Sequence, residues 1–103
     1  MANVNTIFPD QTKYVKENLT ESSLLEQAAE ECVELAHALL KLSRIKRKEN
    51  PTPTSNDDAV QNLFEEWSDL YLVMNMIGVD ADYNLIQEKL NRWVNRIDGD
   101  LNE

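Results

Sequence analysis

Two glycines and three prolines are all that 103 residues contain of the strong helix breakers, and their positions divide the chain. Pro9 stands near the start, Pro51 and Pro53 in the middle, and Gly78 and Gly99 towards the end. Between them run "LLEQAAEECVELAHALLKLSRIKRK", "AVQNLFEEWSDLYLVMNMI" and "YNLIQEKLNRWVNRI", each free of Gly and Pro. So few turn-forming residues cannot serve the many short strands of a sandwich or barrel; they fit a few long helices. The sequence therefore predicts an all-α fold, a small antiparallel helical bundle with long helices about 21–47, 58–77 and 82–97.

End signals agree with those bounds. Thr20 or Ser23 can cap the first helix, and Ser23 with Glu26 has the spacing of a capping box. Arg44, Lys46, Arg47 and Lys48 suit the negative end of its dipole. "ENPTPTSNDD", residues 49–58, reads as a loop, from which Ser55, Asn56 or Asp57 can cap the second helix. Asp80 or Asp82 can start the third, which is expected to stop at Gly99. Residues 1–20 form an N-terminal segment in which Pro9-Asp10 can open a short helix to about Glu17; 21–99 form one helical domain; 100–103 are a tail. A first helix of roughly 40 Å in so short a chain calls for a partner, so a homodimer or homotetramer is expected to complete the bundle.

A net charge of -9 argues against binding a nucleic-acid polymer, which requires a basic surface to displace counterions. An acidic protein that handles phosphates must instead recruit divalent cations. Cys32 is the single cysteine, which excludes an internal disulfide and fits a reducing cytoplasm. The N-terminus lacks the profile of a signal peptide, and no apolar run approaches membrane-spanning length.

The informative residues are carboxylates on the wrong side. At about 100° per residue, the apolar arc of the first helix is set by Leu24, Leu25, Ala28, Cys32, Leu35, Ala36, Leu39 and Leu42. Glu31 projects inside that arc, and Glu34 lies at its border one turn along. The second helix repeats the pattern: Leu63, Trp67, Leu70, Met74 and Ile77 define its stripe, Glu66 falls within it, and Asp69 sits at its edge. A lone ionised carboxylate among apolar side chains is penalised by several kcal/mol, so it protonates, pairs or binds metal. The cations of the first helix cluster beyond residue 40, which leaves these acids without partners. Glu31, Glu34, Glu66 and Asp69 would together make a hard, all-oxygen site suited to Mg²⁺ or Mn²⁺. A Glu-x-x-Glu pair alone more often marks a solvated face; the coincidence of both pairs with apolar arcs carries the metal reading.

Beside the apolar side of the third helix (Ile86, Leu90, Trp93, Val94, Ile97), Lys89, Arg92 and Arg96 form a basic strip. Guanidinium forks and an ammonium group at that spacing can hold a polyphosphate. Taken alone, such a strip more often balances neighbouring acids.

Together, "EQAAEECVELAHALLKLSR", "FEEWSDLYLVMNMIGVD" and "EKLNRWVNRI" resemble the MazG-like family of all-α nucleoside triphosphate pyrophosphohydrolases, over roughly residues 20–98. The hallmark of that family, Glu-Glu-x-x-Glu on one helix and Glu-Glu-x-x-Asp on the next, is matched by Glu30-Glu31-x-x-Glu34 and Glu65-Glu66-x-x-Asp69. The 31 residues between Glu34 and Glu66 exceed the typical family spacing, and the proline-containing loop accounts for the extra length. The resemblance implies that Glu31, Glu34, Glu66 and Asp69 hold Mg²⁺ bridged to a nucleoside triphosphate. It places Glu30 and Glu65 in the catalytic set, supporting the ligands or holding an alternative metal, and assigns Lys89, Arg92 and Arg96 to the phosphates. It implies a cytoplasmic hydrolase whose products are a nucleoside monophosphate and pyrophosphate, the substrate a dNTP or modified NTP.

Two other classes compete. Glu34-x-x-His37 is half of a carboxylate di-iron motif, but the wheel turns His37 towards solvent. A non-catalytic helical dimerisation module would use Trp67, Trp93 and the leucine stripes as packing surface, with Tyr71 and Met74 as core or interface.

Overall fold

The structure, a computed structural model, describes residues 3–48 and 55–102, the last two by backbone alone. The described residues contain five helices and no strand: α1 (Val4–Ile7), α2 (Pro9–Asn18), α3 (Glu21–Lys46), α4 (Asn56–Met76) and α5 (Tyr83–Asn102). None is long and apolar enough to cross a membrane.

Local chemistry sets the ends. Pro9, which has no N–H to leave unsatisfied, opens α2. Thr20, rather than Ser23, caps α3, its hydroxyl accepting from the Ser23 N–H at 3.0 Å. Ser55 caps α4 by accepting from Asp58 N–H. The loop read at 49–58 falls mainly on residues 49–54, which lie outside the described residues; positions 56–58 are already helical. At the far end of α4, Gly78 takes φ +88°, while its N–H donates to the Asn75 carbonyl and that of Val79 to the Met74 carbonyl. That pair of bonds is a Schellman ending, and the left-handed residue it requires is the reason a glycine stands there. Asp82 starts α5 by accepting from the Leu85 N–H at 3.1 Å. The helix does not stop at Gly99 but runs on to Asn102, because a glycine in an exposed turn weakens a helix by only about 1 kcal/mol.

The body of the molecule is an antiparallel hairpin of α3 on α4. Along α3 the residues turned towards α4 are Leu24, Ala28, Glu31, Leu35, Ala38, Leu42 and Ile45, all buried or half-buried. Along α4 they are Ala59, Leu63, Glu66, Leu70, Val73 and Ile77. Both rows alternate steps of three and four, the spacing that keeps a seam facing its partner. This seam is rotated from the arcs read in the sequence. Leu25, Cys32, Ala36 and Leu39 on α3 and Trp67 on α4 are exposed, because each sits one position past a seam residue. Trp67 keeps half its surface in solvent and leans on Tyr71, ring centroids 5.9 Å apart.

The N-terminal helices close one end of the hairpin. Val4 joins Leu24, Ala28, Val73 and Met76 in the main cluster, with Val15, Tyr71, Met74 and Ile77 packed against it. Buried Asn75 anchors this contact: its Oδ1 accepts from the Val4 N–H at 3.1 Å and its carbonyl accepts from the Asn5 side chain. α5 takes no part in the core, and every residue whose side chain is described along it is exposed. The bundle expected from three long helices is, within one copy, a two-helix hairpin with a free third helix.

Candidate metal centre

The carboxylates sit where the seam rules would place leucine. Glu31 occupies the position between Ala28 and Leu35, and Glu66 the one between Leu63 and Leu70. The antiparallel run of α3 and α4 brings these two to one level. Two turns away from this level the seam residues are small: Ala38, seven residues after Glu31, and Ala59, seven before Glu66, are both almost fully buried.

Glu31, Glu66 and Asp69 each offer one carboxylate oxygen such that the three oxygens lie within 4.8 Å of one another. Glu31 and Glu66 are half-buried, while Asp69 faces solvent and gives the group its open side. The Gln27 amide, one turn before Glu31, donates to Glu31 Oε1 at 2.7 Å and holds that carboxylate in place. Gln27 was not singled out from the sequence; its signal is the four-residue step that lets an amide reach a carboxylate one turn on.

Electrostatics bear the mark of crowding. The Glu66 carboxyl is pushed above the ordinary carboxylate range, first by desolvation in the seam and then by the charges of Glu34, Asp69, Glu31 and Glu65. No Lys or Arg is among those causes. A carboxylate cluster without a cationic partner is a site short of positive charge.

The donor set fits a small hard cation. Octahedral oxygens around Mg²⁺ at 2.0–2.1 Å stand roughly 3 Å apart when adjacent and 4 Å when opposite. A group spanning at most 4.8 Å reaches that arrangement by small side-chain rotations. Three oxygens leave the remaining positions to water or phosphate, the usual division for Mg²⁺.

The other sequence-derived residues distribute unevenly. Glu34 lies outside the three-oxygen group but near enough to raise Glu66. Glu30 and Glu65 are exposed and do not belong to the group, although the charge of Glu65 also raises Glu66. Lys89, Arg92 and Arg96 share one exposed face of α5 and make no ion pair with the carboxylates among the described residues. His37 is exposed and outside the cluster, so the Glu34-x-x-His37 pair is not assembled into a centre. Tyr71 and Met74 pack against the core. No protein-family model, curated protein or solved structure matches the chain.

Proposed function

We propose that this chain is a metal-dependent nucleoside triphosphate pyrophosphohydrolase of the MazG-like kind, acting in the cytoplasm as a homo-oligomer on a dNTP or modified NTP. The observation that carries the reading is the convergence of Glu31 and Glu66 oxygens, half-buried in an otherwise apolar seam, with an oxygen of exposed Asp69 at its edge. Two helices accept the same penalty at the same level, and a cation shared between them removes it.

In this reading Glu31, Glu66 and Asp69 hold Mg²⁺ (or Mn²⁺), with Glu34 adding charge beside them. A cation held by these residues would supply positive charge to the triphosphate and acidify a water for attack. Water attacks phosphorus, the bridging P–O bond breaks, and the electron pair leaves with pyrophosphate. Glu30 and Glu65, both exposed, are assigned to support the ligands or to hold an alternative metal. Gln27 keeps Glu31 from rotating away as charge builds. Lys89, Arg92 and Arg96 are the cations assigned to the phosphates; they engage the site only when α5 is brought to it by substrate or by another copy.

Pyrophosphate release from canonical and modified NTPs and dNTPs, with Mg²⁺ and with EDTA, tests the reading. Release is expected to require the cation and to fall roughly a hundredfold or more in Glu31→Gln or Glu66→Gln, each of which removes a charged oxygen ligand. Activity that survives both substitutions refutes the assignment.

A second reading, a helical dimerisation module without catalysis, is favoured by the exposed apolar residues of the hairpin flank and α5. It requires that Mg²⁺ leave thermal stability unchanged, whereas a ligand of the native state raises it.

A further inference from the structure

The side of the seam on which the carboxylate group opens also carries a cavity. Phe8, Gln11, Thr12 and Val15 from the N-terminal segment and Leu72 and Met76 from α4 line a hollow of about 290 Å³, near the lower end of ligand pockets. Asp69, Leu72 and Met76 step by three and four along α4 and so share one face. Met76 lies roughly 10 Å beyond Asp69 along the helix axis. The groove bordered by Leu39, Phe64 and Trp67 is on the other flank, because Trp67 is one position past the seam residue Glu66 while Asp69 is three past it. Among the described residues no charged side chain lines the cavity. Its chemistry is one aromatic ring, Phe8, 51% exposed, one exposed amide, Gln11, and walls from Val15, Leu72 and Met76. Thr12 is 4% exposed, and its hydroxyl donates to the Phe8 carbonyl at 2.8 Å, which ties Phe8 to α2. The Val4 bond to Asn75 holds the segment against α4.

We infer that this cavity takes the base of the nucleotide whose phosphates lie at the carboxylates, with Phe8 stacking on the ring, Gln11 bonding its polar edge, and Leu72 and Met76 as the floor. An uncharged planar heterocycle is the ligand that such a lining suits. It has a π-face for Phe8, and its edge sets a donor beside an acceptor for an amide that offers both. A sugar or a phosphate would bring hydroxyls or charge to walls that cannot satisfy them. The order of groups along the face is also the order within a nucleotide. Asp69 stands at the open side of the carboxylates, Leu72 follows one turn on, and Met76 one turn further. A ligand with its phosphates at Asp69 therefore lays its base between α2 and α4. The inference rests on the hydrolase reading for the phosphates and adds that the N-terminal segment reads the base.

Amide chemical shifts of the isotope-labelled full chain, titrated to millimolar adenosine, guanosine, cytidine, uridine or thymidine without metal, read the cavity apart from hydrolysis. At least one nucleoside is expected to move the amides of residues 8–15 and 72–76 saturably, and to do so equally in Glu31→Gln with Glu66→Gln. Phe8→Ala is expected to weaken that binding roughly tenfold, the loss of one base–aromatic stack. Leu72→Trp, which fills the cavity, is expected to abolish it. Phe8 and Leu72 are both exposed, so both variants should keep the wild-type circular dichroism spectrum. In pyrophosphate release, Phe8→Ala should raise KM by a similar factor with kcat nearly unchanged, whereas Trp67→Ala on the other flank should leave KM as it was. Nucleoside binding at these amides without any pyrophosphate release upholds the base site and refutes the hydrolase reading. No saturable shift from any nucleoside, or shifts confined to the Trp67 flank, overturns the base site. So does pyrophosphate release with a KM indifferent to Phe8→Ala and Leu72→Trp, and the hydrolase reading then stands without it.

Discussion

Ala38→Leu puts the seam to a direct test. Ala38 is 2% exposed and Ala59 1%, so each sits in a closed part of the seam, seven residues from Glu31 and Glu66 respectively. A leucine adds three carbons where no space remains, and overpacking of this kind costs about 2 kcal/mol. For a domain of this size that lowers Tm by roughly 10 °C. Ala36→Leu supplies the control, because Ala36 is exposed although the helical wheel puts it inside the apolar arc; it is expected to stay within about 0.5 kcal/mol of wild type. Thermal unfolding followed by circular dichroism distinguishes the two, and the same samples report metal binding. Spreading α3 from α4 at Ala38 separates Glu31 from Glu66, so Ala38→Leu weakens Mg²⁺ binding while Ala36→Leu does not. If Ala36→Leu destabilised as much as Ala38→Leu, α3 would be rotated from the position described, and Glu31 would leave the seam.

Two further outcomes follow from named contacts. The folded chain holds the Glu66 proton more tightly than the unfolded chain does. In the metal-free protein Glu66 should therefore contribute stability on the acid side that is lost as pH rises from the ordinary carboxylate value through the raised one. Urea midpoints with EDTA between about pH 4 and 7 check this, and Glu66→Gln should flatten that part of the profile. Asn75→Ala removes the acceptor of the buried Val4 N–H and should cost about 1–3 kcal/mol, with earlier proteolysis of the N-terminal segment.

The helices were legible because their stops are chemical. Gly78 and the caps at Thr20, Ser55 and Asp82 announce the ends of α3, α4 and α5 with local hydrogen bonds. Packing was less legible, since an apolar residue states a preference for burial and not the surface that satisfies it. Leu25, Cys32 and Leu39 drew the arc of α3 towards a flank, although the seam runs through Ala28 and Ala38. Glu31 and Glu66 kept their place in spite of this, because a polar residue within an apolar row stands out whichever way the row is rotated by one position. Asp69 was found with them by its three-residue step from Glu66, and Glu34, by the same step from Glu31, stops just short of the group. The contact of Asn75 with Val4 joins residues 71 apart, and no local pattern announces it. The free position of α5 could not be read either, because its stripe looks the same whether its partner is in the same copy or another.

In the proposed function α3 and α4 hold a divalent cation between them. Calorimetric titration of the chelated protein with Mn²⁺ or Mg²⁺ in the absence of nucleotide measures this directly. Saturable binding in the wild-type chain, weakened by at least about tenfold in Glu66→Gln as a charged ligand is lost, is the result the account predicts. No binding at millimolar cation, or equal binding by wild type and Glu66→Gln, would contradict it.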